Sequence, residues 1–156
     1  MDKAITTALF VIAGIIAAMA LINTAVPAVG RSSSALLMAN AKASDRIKTD
    51  LEIIFSTGDI STNEIVFWAK NVGTKPIKPI NASDIFLTTP TTVVRIPYTG
   101  SAGADPRWDY IIENGTEWTQ TVTIKVTLHM DTLSTGLHSV TMTSYNSVSD
   151  TEEFSI

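Results

Sequence analysis

Few residues in this chain could do chemistry. His129 and His138 are its two imidazoles, and it has no cysteine. Neither histidine has a second histidine or a cysteine at ligand spacing. A place on a strand surface therefore competes with a metal site for each of them. The lack of cysteine removes disulfides, thiolate metal centres and a cysteine nucleophile. Asp105 and Asp109 flank Pro106-Arg107-Trp108 in the glycine-rich stretch GSAGADPRWD. Their oxygens could hold Ca²⁺; the alternative is a plain loop pinned by Trp108. Glu152-Glu153 reads as a solvated strand end. No nucleophile elbow, phosphate loop or zinc helix occurs. The expectation is a chain without catalytic residues, cofactor or metal. Asn81-Ala-Ser and Asn114-Gly-Thr are N-x-[ST] triplets that could accept sugar if the chain is exported, making it a candidate glycoprotein. The net charge of −4 offers no basic field for nucleic acid.

The elements that must carry these residues differ sharply along the chain. From Asp50 onward the pattern has a period of two. TVTIKVTLHM puts Val122, Ile124, Val126, Leu128 and Met130 on one face and Thr121, Thr123, Lys125, Thr127 and His129 on the other, the pattern of a half-buried strand. EIVFWAK is a second strand, followed by the turn NVGT, where Gly73 can take positive φ. DIFLTT, TVVRIPY, DYII, LHSVTMTSY and TEEFSI follow at regular intervals, with prolines at the joins. Threonine fits such pleats because it is β-branched; O-linked sugar on an exposed coat is the second reading of its abundance. Short strands at this spacing predict an antiparallel sandwich of about 105 residues, one ordinary domain.

The front of the chain is apolar. No charge occurs from Ala4 to Gly30. The run is longer than the h-region of a cleaved secretory signal. It is long enough for a permanent membrane anchor, which needs about 20 residues. A third reading is a helix that leaves the membrane and packs against copies of itself. The last two readings both require burial on every side, by lipid or by protein. Ala13, Gly14, Ala17, Ala18 and Ala20 allow close helix–helix approach. Pro27 predicts a kink or local melting near Asn23–Pro27. Helical spacing continues through Ala35, Leu36, Met38, Ala39, Ala43 and Ile47, so one helix is expected from about Asp2 to about Thr49, roughly 70 Å long. The fold class is thus α+β: a long N-terminal hydrophobic helix over 1–49, then a β-sandwich over 50–156.

The run AITTALFVIAGIIAAMALINTAV, and ALINTA at Ala20–Ala25 above all, resembles the archaellins. These are subunits of the archaeal swimming filament and relatives of type IV pilins. FWAKNVGTKPIKPINASDIFL is similar to the strand–turn–strand of archaellin-related filament and stator proteins. Ile5 stands where bacterial pilins usually carry glutamate, which argues against a bacterial-type pilin. Precursors in the family carry a basic leader ahead of a prepilin-type peptidase site; none precedes Met1, and precursor and processed chain both remain open.

The resemblance implies an immunoglobulin-like sandwich and a structural role. The chain would wait in the cytoplasmic membrane, be extracted with the help of an assembly ATPase and a platform protein, and join an extracellular helical homopolymer used for motility. Leu9, Ile12, Gly14, Ile16, Met19, Ile22 and Val26 are the expected filament-core interface. Leu36, Leu37 and Ile47 are expected to join the helix to its own sandwich or to neighbours. The rival expectation is a membrane-anchored, stator-like protein whose sandwich grips an envelope layer; an adhesive pilin, attached through the domain tip, is the third.

Overall fold

A computed structural model describes residues 2–100 and 102–156. Ser101, in the GSAGADPRWD loop, lies outside the described residues. The chain divides into two compact units, 1–43 and 44–156.

The first unit is helix. Helix α1, Asp2–Lys48, has 47 residues and continues without a break through Pro27. The local melting expected at Asn23–Pro27 does not occur. A proline removes one amide donor, but the flanking residues of a long helix keep their own bonds. Near its start, Thr6 and Thr7 return their hydroxyls to the carbonyls of Asp2 and Lys3, each at 2.8 Å. Taken alone, the helix covers none of its apolar side chains.

The second unit is a sandwich of two four-stranded antiparallel sheets, an immunoglobulin-like fold. The strands are β1 (Leu51–Asp59), β2 (Glu64–Asn71), β3 (Asp84–Thr88), β4 (Val93–Ile96), β5 (Arg107–Ile112), β6 (Thr123–His129), β7 (Leu137–Thr143) and β8 (Ser149–Ser155). One sheet runs β1-β2-β6-β5 and the other β4-β3-β7-β8. The alternation read in TVTIKVTLHM holds: Val122, Ile124, Val126 and Leu128 are buried and the residues between them are not. Met130 is partly buried, past the end of the strand. Ile65, Phe67 and Ala69 of β2 and Ile85 and Leu87 of β3 close the core from both sheets, and Trp108 and Trp118 fill it.

The two sheets are stitched where their edges meet. The Ile53 amide donates to the Asp150 carboxylate at 2.7 Å, tying β1 to β8 across the sheets. On the other side the Trp108 amide donates to the Pro97 carbonyl at 3.1 Å. Each stitch gives an edge amide a partner that its own sheet cannot supply.

Ile124 makes no contact with solvent. Ile124→Ala should therefore cost about 2–5 kcal/mol. Urea unfolding of the detergent-solubilised chain, followed by tryptophan fluorescence, measures it.

Candidate functional site

Three regions of the chain could carry function: the apolar helix, the joint at which the chain enters the sandwich, and the opposite end of the sandwich. In the helix, Leu9, Ile12, Ile16, Met19, Ile22 and Val26 are all exposed, and a side chain placed at Gly14 would meet nothing within 4 Å. The helix by itself buries none of them. This helix is long and apolar enough to cross a membrane.

The joint is tightly built. A helix leaves its last carbonyls without partners, and here the loop after β2 supplies them. The amides of Thr74 and Lys75 donate to the Lys48 carbonyl at 2.9 and 3.1 Å, and those of Val72 and Gly73 to the Asp50 carbonyl, both at 3.1 Å. Thr49, buried, donates its hydroxyl to the Asp45 carbonyl at 2.8 Å and accepts from the Asn146 amide at 2.7 Å. Lys75 pairs with Asp45 at 2.5 Å. That hydrogen bond holds the lysine pKa above its ordinary value. The pair therefore contributes fully below the ordinary lysine value and is lost only as pH rises through the raised one, far above neutrality. Asn71 is fully buried and bonds the carbonyls of Lys75 and Trp118, each at 2.9 Å, so the loops on both sides of the joint share one anchor.

Sequence reading missed this joint, apart from the turn at NVGT, and gave the wrong reason for Gly73. That glycine is not among the positive-φ residues. A Cβ there would collide with the Asp50 amide and lie 2.6 Å from the Lys48 carbonyl oxygen. The position needs glycine because two backbones pass without room for a side chain. Ile47 does not join helix to sandwich; it is 83% exposed, the side of the last turn that the sandwich leaves free.

At the other end, the β3–β4 turn, the β6–β7 loop and Pro106 surround an open groove of about 350 Å³. Thr89, Thr91, Thr92, Asp131, Thr132 and Ser134 line it with hydroxyls and one carboxylate, over Val94, Met130 and Leu133. The Asn63 side chain braces the β6–β7 loop by accepting from the Leu133 amide at 3.1 Å. Beside the groove, on the outer face of the β1-containing sheet, Arg107 pairs with Asp105 at 3.1 Å and Asp109 at 3.6 Å. These carboxylates thus face a guanidinium. Among the described residues no group of three or more His, Asp or Glu could hold a metal ion.

His129 sits between two acids, Nδ1 3.1 Å from Glu64 and Nε2 3.3 Å from Asp109. His138 does not lie on a surface as expected: it is buried, stacked on Phe154 with centroids 5.8 Å apart, and its Nε2 donates to the Ser134 carbonyl at 2.9 Å. Its position in β7 alternates inward with Val140 and Met142. Both N-x-[ST] asparagines are exposed, Asn81 in a 3-10 turn and Asn114 in a loop where its carbonyl oxygen accepts from the Thr123 amide at 2.7 Å.

No family model matches the chain. A protein of Archaeoglobus fulgidus, described only as uncharacterized, is 32% identical over 131 residues, which cover 80% of this chain and 78% of that protein. The chain belongs to that archaeal protein's family. Among solved structures, the archaellum periplasmic stator protein FlaG from Sulfolobus acidocaldarius superposes with a TM-score of 0.59 at 18% identity, covering 68% of this chain and 99% of FlaG. The complex of FlaF and FlaG from the same organism gives a TM-score of 0.58 at 18% identity, covering 68% of this chain and 89% of the matched one. The archaeal family thus has members with the FlaG fold.

Gly73→Val should break the joint by steric collision and open the last helical turn. Limited trypsin digestion reads this directly: cleavage after Arg46 and Lys48 is expected to become several-fold faster, while the rest of the sandwich stays resistant.

Proposed function

We propose that this chain is a membrane-anchored envelope protein of the archaellum-stator kind, and not a catalyst. In this reading Ala4–Gly30 spans the cytoplasmic membrane permanently. The sandwich lies outside it and holds a component of the cell envelope through the end opposite the joint. The observation that carries the reading is the combination of a bilayer-length helix, uncovered by its own chain, with a sandwich of the FlaG fold. The joint supports it as well. A protein that resists force between membrane and envelope needs its anchor tied to its binding domain, and here the loop after β2 bonds the Lys48 carbonyl while Asn146 bonds Thr49.

FlaG is named as a periplasmic stator and is solved together with FlaF, which favours a heterologous archaellum partner over a homopolymer. The filament-subunit reading remains the second one. It is favoured by the ALINTA run and the small residues around Gly14, which suit a packed helix bundle as well as lipid.

The two readings separate by shearing. Cells expressing the tagged chain are sheared, and the membranes are washed in alkaline carbonate. The stator reading expects the chain in the washed membrane pellet and absent from the sheared fibres. A chain that forms the bulk of sheared fibres, seen by negative-stain microscopy and immunoblot, belongs to a filament instead. If the groove is the envelope contact, Thr91→Arg with Thr132→Arg should abolish co-sedimentation with the isolated envelope layer and leave trypsin resistance unchanged.

A further inference from the structure

Residues 31–48 of α1 raise a problem that neither lipid nor the sandwich solves. The uncharged run fills a bilayer and ends at Gly30, whereas the helix continues for about 27 Å beyond it. This water-side portion carries Arg31, Lys42, Asp45, Arg46 and Lys48, yet it also exposes Leu36 at 63% and Ile47 at 83%.

Those two residues belong to one seam. Counting in sevens, Ser33, Asn40 and Ile47 occupy the a positions and Leu36 and Ala43 the d positions. The same frame runs back through Val29 (d) and Val26 (a) into the uncharged run. The seam is apolar at Val26, Val29, Leu36, Ala43 and Ile47 and polar at Ser33 and Asn40; a β-branched residue at a, leucine at d and an asparagine at one a position are features of parallel two-stranded coiled coils. Leu37 and Met38 fall outside the seam, at e and f.

The joint supplies a second, independent observation. Asp45, which the sandwich holds through Lys75, lies at f, on the side of the helix away from the seam. Thr49, held by Asn146, lies at c. The sandwich thus grips the last turn from its outer side and leaves the a position, Ile47, open.

We infer that residues 31–48 pair with the same segment of a second copy of this chain as a parallel coiled-coil stalk. The inference rests on the membrane anchoring proposed above, which identifies the partner. Anchored copies all point the same way and carry each residue at the same height above the bilayer, so the seam of one chain meets the identical seam of another in register. The driving force resides in the water-side segment. Leucine gains little by leaving lipid for another helix, but Leu36 and Ile47 leave water. Asn40 meets its counterpart in the second copy and penalises frames and stoichiometries that would bury it alone.

The absence of cysteine makes the test clean. Full-length chains carrying one cysteine each are expressed, and their membranes are oxidised with copper phenanthroline. A disulfide requires Cα atoms within about 4.4–6.8 Å. Leu36→Cys, Asn40→Cys, Ala43→Cys and Ile47→Cys should give disulfide-linked dimers on non-reducing gels. Ser34→Cys, Met38→Cys and Ala41→Cys, at b and f, should not. Adding Ile47→Asp to Leu36→Cys should remove its dimer band while the sandwich stays trypsin-resistant. Membrane-bound chains that cross-link equally at all seven sites, only at the b and f sites, or at none would overturn the stalk and leave the anchor standing. Chains recovered in the soluble fraction would overturn the anchor, and the stalk with it.

Discussion

The apolar surface of α1 is the constraint on which the rest depends. From Ala4 to Gly30 every side chain is uncharged, and the helix by itself buries none of them. An apolar helix in water has to find cover, because exposing hydrocarbon costs about 25 cal/mol per Å². That cover is lipid or other helices. Lipid would fix the rest of the chain in place: the sandwich would be tethered and the copies parallel, and of the helix only the water-side part would still have apolar surface to hide. Other helices would make the same residues the core of a polymer. The sandwich fold and the joint are compatible with both.

The joint shows how the end of a helix can be tied to a neighbouring sandwich through backbone contacts. Helix ends are weak points, since their last carbonyls lack partners. Here Thr74 and Lys75 cap Lys48, Asn146 caps Thr49, and buried Asn71 secures the loop that does the capping. Gly73 lets the two backbones close to contact. A single added side chain there would act on the connection and not on the core, which makes the joint separable from folding by experiment.

Much of the architecture was legible from residue patterns. The alternation in TVTIKVTLHM placed β6 and its buried face correctly because strand periodicity is local. The long helix was legible for the same reason, and its end near Thr49 agrees with Lys48 as the last helical residue. Pro27 does not interrupt the helix, which continues through it to Lys48. His138 was misplaced because the boundary of β7 decides which alternate residues point inward, and a one-residue offset reverses the faces. The groove was invisible, since Thr89, Pro106 and Thr132 come from three separate loops. Gly73 was singled out for its freedom of φ, whereas its role depends on a backbone more than twenty residues away in sequence.

The most direct measurement is the position of the bilayer on the helix. Single cysteines at Leu9, Ile16, Ile22, Leu36 and Ile47, in membranes made permeable to reagent on both sides, are challenged with a polar maleimide before and after detergent. A permanent lipid span predicts that positions 9, 16 and 22 react only after detergent has dissolved the bilayer, while 36 and 47 differ little between the two conditions. Free reaction at 9, 16 and 22 in intact membranes would contradict it, as would protection that persists in an assembly free of lipid.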